Sequence, residues 1–399
     1  MNKSTMIAGS LFLGLASVLS AQNAFWDGPD AYLGQKPPGD TPIEFAPGLL
    51  AEPGNFAIGR IGISPDGKEI CYTQNNTWFD DKDEVIKGFN FSDGKWRGPV
   101  VLFRRLANPA YSSDGNTLYL GASMTQVLRV ARTPAGWGNP EQYLDNQHVE
   151  VYNFNPTAGP NFYACSNPDG EDIRNGSTDV FSVLTVSNGI PTIKSLGRPL
   201  NSPGFNGDFF VSPDESYMLL SAKETKDYEC EIYISFRKAD KTWTNPKSLG
   251  PAINDGAAHR FGEFVTPGNK YMFYTKGTVP KDTKILWVRF DQMLERLRHS
   301  NFDPYVRTPI ADVDSAVGNR ISLKIGDGTF RDDDGNDTLS FSASTESGDA
   351  LPTWLSFDPS TRTLSGTPPE PGSCKLKITA TDSAKSRASC TFAIVVKSS

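Results

Sequence analysis

Asp208 and Glu263 are the residues of this 399-residue chain whose types and placement suit proton transfer. Each stands at the entrance of a short apolar run that closes in a tight polar turn, Val211-Ser212-Pro213-Asp214 and Val265-Thr266-Pro267-Gly268. Aligning every such run on its turn puts Arg60, Asn108, Val151, Asp208 and Gly262 at one level, and Ile61, Pro109, Tyr152, Phe209 and Glu263 at the next. Two carboxyls on adjacent repeats, with Arg60 across from them, match the acid and base of a glycosidase. They match equally a set of acceptors for sugar hydroxyls, or plain loop caps. His259 and Arg260 precede Glu263 and are placed to assist. Tyr152, Phe205, Phe209 and Phe261 offer faces for stacking on a sugar or for packing between repeats. The candidate catalytic set is therefore Asp208, Glu263 and His259. The candidate ligand contacts are Arg60, Asn108, Tyr152, Asp208, Arg260 and Glu263.

A second cluster, Asp332-Asp333-Asp334-Gly335-Asn336-Asp337, sets carboxylate and amide oxygens on a glycine-containing loop. That donor set suits Ca²⁺, with Asp332, Asp334, Asn336 and Asp337 as ligands and Asp382 approaching from a neighbouring loop. No Glu falls at the twelfth position of an EF-hand, and a solvated acidic turn is the other reading. No cofactor besides this possible Ca²⁺ is implied. There is no Gly-x-Ser-x-Gly elbow, no His-Glu-x-x-His, no phosphate loop and no Cys-x-x-Cys, which removes most nucleophilic and metallopeptidase chemistry.

The elements that must position these residues announce themselves by repetition. Ile63-Ser64-Pro65-Asp66-Gly67-Lys68, Tyr111-Ser112-Ser113-Asp114-Gly115-Asn116, Val211 to Ser216 and Val265 to Lys270 are variants of one phrase, with a degraded copy at Phe154 to Gly159. A tight turn between apolar runs, recurring roughly every 50 residues, marks an array of stacked blades. Trp96, Trp137 and Trp243 recur in a second motif and are expected to cover outer blade edges. The fifth repeat lacks that motif, while Pro42 to Gly48 resembles Pro246 to Pro251, the segment that closes the fourth blade. An N-terminal strand would then complete the last blade and leave no open gap in the ring. Five blades follow, or six if residues 169–185 form another.

Here the chain resembles the exported WD40-like β-propellers with TolB-type repeats, from Pro42 to Arg298. The carriers are the Ser-Pro-Asp-Gly turns, the Glu231 to Ser235 strand and the run from Trp243 to Gly250. The resemblance implies fold more than activity: such proteins include interaction modules and proteins of envelope or polysaccharide handling, and lyases and peptidase gates share the scaffold. A three-His metal site, as in some propeller lyases, would need His299 to leave the helical segment from Asp291, with His148 beside Glu150 and His259 as partners. From Tyr305 to Lys397 the runs Thr338 to Ala343, Leu351 to Asp358, Leu364 to Pro368 and Leu376 to Asp382 resemble a cadherin-like or Ig-like domain. That implies a β-sandwich with Trp354 and Phe357 in its core.

Lys3 and the apolar stretch from Met6 to Leu19, ending at Ser20-Ala21, read as a secretory signal peptide. The expected organisation is a signal peptide over 1–21, a TolB-like propeller over 22–300 and an Ig-like sandwich over 301–399, in an all-β chain. A net charge of −7 argues against nucleic acid, and no later stretch is apolar enough to cross a bilayer. The expected protein is periplasmic or extracellular and binds glycan or an envelope protein; the alternative is a glycoside hydrolase or polysaccharide lyase with its site at the channel mouth. Cys374 and Cys390 flank a hairpin turning near Asp382 and either bridge or remain free. Cys71, Cys165 and Cys230 read as small buried hydrophobes.

Overall fold

The computed structural model describes residues 25–398 apart from 79–81, 123–125, 146–150, 167–180, 189, 202–206 and 335–338. The signal peptide, His148, Glu150, Phe205, Asn336 and Asp337 lie outside the described residues, as does most of the stretch on which a sixth blade was considered. Contacts divide the chain into two units, one of residues 1–242 with 248–298 and the other of 243–247 with 299–399.

In the first unit the described residues form five antiparallel sheets, each with a path of four strands. Blade 1 holds β2 (Phe56–Ile63), β3 (Glu69–Asn75), β4 (Val85–Ser92) and β5 (Lys95–Arg104); blade 2 holds β6 (Ala107–Tyr111), β7 (Thr117–Gly121), β8 (Gln126–Thr133) and β10 (Glu141–Asp145), with β9 (Gly136–Trp137) paired to β8. Blade 3 holds β11 (Val151–Pro156), β12 (Asn161–Ser166), β13 (Phe181–Ser187) and β14 (Ile190–Ser195). Blade 4 holds β15 (Phe209–Val211), β16 (Tyr217–Ala222), β17 (Glu231–Phe236) and β18 (Lys247–Ser248). Blade 5 holds β19 (His259–Val265), β20 (Tyr271–Gly277), β21 (Lys284–Arg289) and, from the other end of the chain, β1 (Ile43–Glu44), where Ile43 faces Trp287 and Glu44 faces Leu286. The first strands neighbour one another in the order β2, β6, β11, β15, β19 and back to β2, which closes the ring. Among the described residues the unit is a five-bladed propeller latched by its N-terminal strand.

The repeated phrase works as a turn through its side chains. Ser64 Oγ donates to Asp66 Oδ1 at 2.6 Å and accepts from the Glu69 amide at 2.9 Å, while Gly67 takes φ +78°. Ser112, Asp114 and Gly115 repeat this, and the hydroxyls of Ser212 and Thr266 accept from the amides of Tyr217 and Tyr271 at 3.1 Å. A hydroxyl at that place satisfies a backbone donor which the turn would otherwise leave bare. Neighbouring blades are tied just beyond the turns. Glu69 of blade 1 receives both Nη atoms of Arg132 from blade 2, at 2.8 and 2.9 Å, and Glu215 of blade 4 receives Tyr163 of blade 3 at 2.7 Å. A large apolar cluster joins blade 5 to blade 1: Phe45 lies edge-on to Phe273 and Trp287, with Tyr72, Ile61 and Tyr32 beside them. The recurring tryptophans differ in burial, Trp96 and Trp137 being half-buried and Trp243 buried.

The second unit is Ig-like. One sheet orders β23 (Val313–Ala316), β30 (Arg387–Lys397), β29 (Gly372–Thr381) and β26 (Ser340–Thr345); another orders β24 (Ile321–Lys324), β28 (Thr363–Gly366) and β27 (Leu355–Asp358). Its core centres on Leu364, Leu376, Ile378 and Ile394, with Trp354 and Phe357 packed at its margin rather than inside it. The register removes the Cys374–Cys390 bridge. Cys374 faces Ile394 and Cys390 faces Ile378, four positions apart along the ladder, or about 13 Å at strand rise, and both thiols are free.

Candidate functional site

Four of the inner strands, β2, β6, β11 and β19, carry a register shift ahead of the turn. A left-handed residue marks each: Gly59 at φ +69°, Asn108 at +52°, Asn153 at +53° and Gly262 at +66°. Glycine and asparagine tolerate this region best, and the bulge re-aims the side chains that follow. The third turn is offset from its sequence alignment. Thr157 supplies the hydroxyl there, accepting from the Gly159 amide at 3.2 Å and donating to the Asn161 carbonyl at 2.7 Å. Counting four residues back from Thr157, as from Ser64, Ser112, Ser212 and Thr266, gives Asn153 rather than Val151. The inner level is thus Arg60, Asn108, Asn153, Asp208 and Gly262, and the next contains Phe154 in place of Tyr152, whose side chain lies outside the described residues.

These residues form a hydrogen-bonded belt. Asn108 Nδ2 donates to Asn153 Oδ1 at 3.4 Å, Asn153 Nδ2 donates to Asp208 Oδ1, and the Gly262 amide donates to Asp208 Oδ2 at 3.0 Å. Blades 2, 3, 4 and 5 are linked in sequence by it. Arg60 crosses from blade 1, giving Nη1 to the Phe154 carbonyl at 2.9 Å and Nη2 to the Phe209 carbonyl at 3.1 Å. It is 3% exposed, so a side chain fills the channel at this height. Burial pushes the Asp208 carboxyl up, against the Asn153 hydrogen bond and the Arg60 charge that favour its ionised form.

Glu263 belongs to the same electrostatic group but is fully buried, away from the mouth where it was expected. Its Oε1 accepts from Ser221 Oγ of blade 4 at 3.2 Å, and its Oε2 is buried without a hydrogen-bond partner. Burial, and next the Asp208 charge, push its pKa up to about 8. His259 sits in an aromatic cluster, stacked on Phe261 at 4.1 Å and edge-on to Trp78 at 5.1 Å, where burial lowers its pKa to about 4. Arg260 is 1% exposed and clamps the loop before it, donating to the carbonyls of Ile253, Cys230, Asp255 and Gly256 and to Asp255 Oδ1. Its guanidinium holds structure and is closed to a ligand.

On the side of the turns the channel widens into a cavity of about 420 Å³. Pro109, Ala110, Phe210, Val211 and Phe264 are among its walls, and Arg60 and Asp214 are its charged lining residues. Trp26 stands over it, with Nε1 donating to the Pro65 carbonyl at 2.9 Å. Sequence reasoning missed Asn153 because a degraded turn hid the register. It missed Trp26 because nothing in the local pattern ties the segment before the first blade to the channel.

In the second unit, Asp382 is 3% exposed and accepts from the Ser386 amide at 2.7 Å and Asn301 Nδ2 at 3.1 Å. Asp334 accepts from the Phe302 amide and Asp332 from the Asp334 amide, both at 2.9 Å. These oxygens cap loops, and among the described residues no group of three or more His, Cys, Asp or Glu is arranged to hold a metal. Asn336 and Asp337, two of the expected Ca²⁺ ligands, lie outside the described residues.

Residues 304–397 match the family model described as "Putative Ig domain". No curated protein matches the chain. Among solved structures it is similar to an oligogalacturonate lyase in complex with manganese, with 11% identity, 61% of this chain and 68% of that one covered, and a TM-score of 0.35. It is similar to TolB from Acinetobacter baumannii, with 15% identity over 57% of this chain and 53% of that one, and a TM-score of 0.35. A Bacteroides fragilis protein described as a "putative alpha-galactosidase" is similar over 24% of this chain and 18% of its own, with 17% identity and a TM-score of 0.19. The chain spans only part of each. The architecture is nonetheless plain from strand topology and the family model together: a five-bladed propeller followed by an Ig-like domain. No helix among the described residues is long and apolar enough to cross a membrane.

Proposed function

We propose that this is an exported binding module whose propeller takes an apolar segment of an envelope or extracellular protein into the cavity on the turn side. The supporting observation is the division of labour along the channel. Asn108, Asn153, Asp208 and the Arg60 Nη atoms spend their hydrogen bonds on one another and on backbone, leaving few groups to pair with sugar hydroxyls. The open space beyond them is walled largely by proline, valine and phenylalanine, which reward apolar contact, with Ser113, Asp214 and Asn269 among its polar lining. Trp26 gives a direct readout. Titrating the mature protein with extended peptides rich in leucine and proline should change its fluorescence, and Phe210→Asp should weaken binding about tenfold or more. Equal binding by wild type and Phe210→Asp would overturn the proposal, as would no binding by any peptide of the series.

A second reading, a carbohydrate-active enzyme, is favoured by one feature: Glu263, a buried carboxyl with a raised pKa and one bare oxygen beside Asp208. Its test is mass spectrometry of plant, algal and bacterial oligosaccharides after incubation with the protein. New fragments that vanish with both Asp208→Asn and Glu263→Gln would establish it, a gain of water marking a hydrolase and an unsaturated end a lyase. Export is tested by N-terminal sequencing of the protein recovered outside the cytoplasm, which should begin near Gln22.

A further inference from the structure

The outer strands of the five blades are unequal, and blade 1 has the long one. β5 runs ten residues from Lys95 to Arg104, whereas β1 and β18 have two each, β10 five and β14 six. It pairs with β4 on one side only, and among the described residues no backbone hydrogen bond joins its outer side to another strand. Pro99, which has no amide to donate, and ladder shifts at Ile86/Lys87 and Gly88/Asn90 interrupt this edge, so what it offers a further strand is the shorter open stretch after Pro99.

Three properties narrow what the edge accepts. Val100 and Val101, 57% and 42% exposed, stand side by side on β5. They line a groove of about 750 Å³ that runs to Trp137 of blade 2, itself held beneath Arg132 at 4.3 Å and beside Tyr111 at 5.8 Å. From 95 to 105 the sequence carries Lys95, Arg97, Arg104 and Arg105 with no Asp or Glu, in a chain of net charge −7. Arg97 pairs with Asp93; among the described residues no carboxylate pairs with Lys95, Arg104 or Arg105.

We propose that β5 is a docking edge for an extended, acidic segment of a partner protein, which adds a strand to blade 1, seats apolar side chains on Val100, Val101 and the Trp137 groove, and sets carboxylates against Lys95, Arg104 and Arg105. A second copy of this chain is the wrong occupant, because two such edges would bring like charges together. The surface is separate from the channel cavity, so it stands or falls independently of the proposed function.

The test uses the full mature chain and two labelled ten-residue peptides with the same alternating valine and threonine centre, one flanked by pairs of glutamate and the other by pairs of lysine. Fluorescence anisotropy should show the glutamate peptide binding at least about tenfold more tightly than the lysine peptide, with the preference falling as salt rises. The double variant Arg104→Glu/Arg105→Glu, confined to exposed side chains, should remove the preference at unchanged melting temperature. Amide hydrogen exchange should slow at residues 100–105 when the peptide binds, which marks strand addition rather than loose charge pairing. The proposal is overturned if neither peptide binds, if both bind alike, if exchange at 100–105 is unaffected, or if sedimentation shows a dimer that Val101→Lys dissociates.

Discussion

The inner and outer circles of the propeller follow different rules. Inner strands share one plan: a left-handed residue or its equivalent, a polar side chain or amide turned into the belt, and a hydroxyl-bearing turn four residues later. Outer strands share none, ranging from two residues in blade 5 to ten in blade 1 and from half-buried Ser248 to exposed Val100. The inner circle has to close against itself, so each blade is constrained by its neighbours. The outer circle meets solvent or partners and is free to differ blade by blade.

If closure is what the inner plan secures, the largest cost should come where two inner strands touch. A Cβ on Gly262 would lie 2.3 Å from the Gly59 carbonyl carbon, and its φ of +66° is strained for alanine in any case. Gly262→Ala should destabilise the propeller by more than about 4 kcal/mol, read by chemical denaturation. A loss below about 1 kcal/mol would mean the ring relaxes easily and that the inner circle is no tighter than the outer. The latch comes next. Phe45 follows β1 and is 1% exposed against Phe273 and Trp287, so Phe45→Ala should cost about 3–5 kcal/mol although it sits beside an outer strand of only two residues. That result would sharpen the comparison, since outer elements matter where they close the ring. Asp208→Asn should cost less, about 1–3 kcal/mol, because it puts a donor where either Asn153 or the Gly262 amide needs an acceptor. Asp208→Ala should cost no less; if it costs nothing, the belt is not a structural device.

The same contrast explains what could be read from residues alone. Five turns and the latch at Pro42 to Gly48 were legible because they repeat, and repetition reflects the shared constraint on the inner circle. The level of Asp208 was legible because Ser212 and Pro213 are intact. The level of Asn153 was not, since Thr157 does the work of Ser64 two residues from where a proline suggested it. The fates of Glu263 and Arg260 were hidden for another reason. A charged side chain beside a bulge can face the channel, the neighbouring blade or the preceding loop, and the choice is made by Ser221 and by the carbonyls of residues 253–258, which lie on other elements. The Cys374–Cys390 pairing failed on register, because spacing about the Asp382 turn does not fix which residues face each other until the ladder is drawn.

The smallest expected effect concerns whether the inner circle senses pH. Glu263 is held near pKa 8 by burial and by Asp208, against an ordinary value of 4.5. Between about pH 4.5 and about pH 8 the folded state therefore keeps a proton that the unfolded state has released. Its contribution to stability is full below about pH 4.5, declines as pH rises through that window, and is gone above about pH 8. Asp208, also pushed up by burial, adds a decline of the same sign starting at lower pH, and the Arg60 charge tempers both. Glu263→Gln keeps a neutral group of similar shape and has no proton to lose. Its melting temperature should lie close to that of the wild type near pH 5 and above it near pH 9, as followed by calorimetry of the propeller transition. A difference that is constant across this range would show Glu263 to be ionised throughout, and would remove the raised pKa on which the enzyme reading rests.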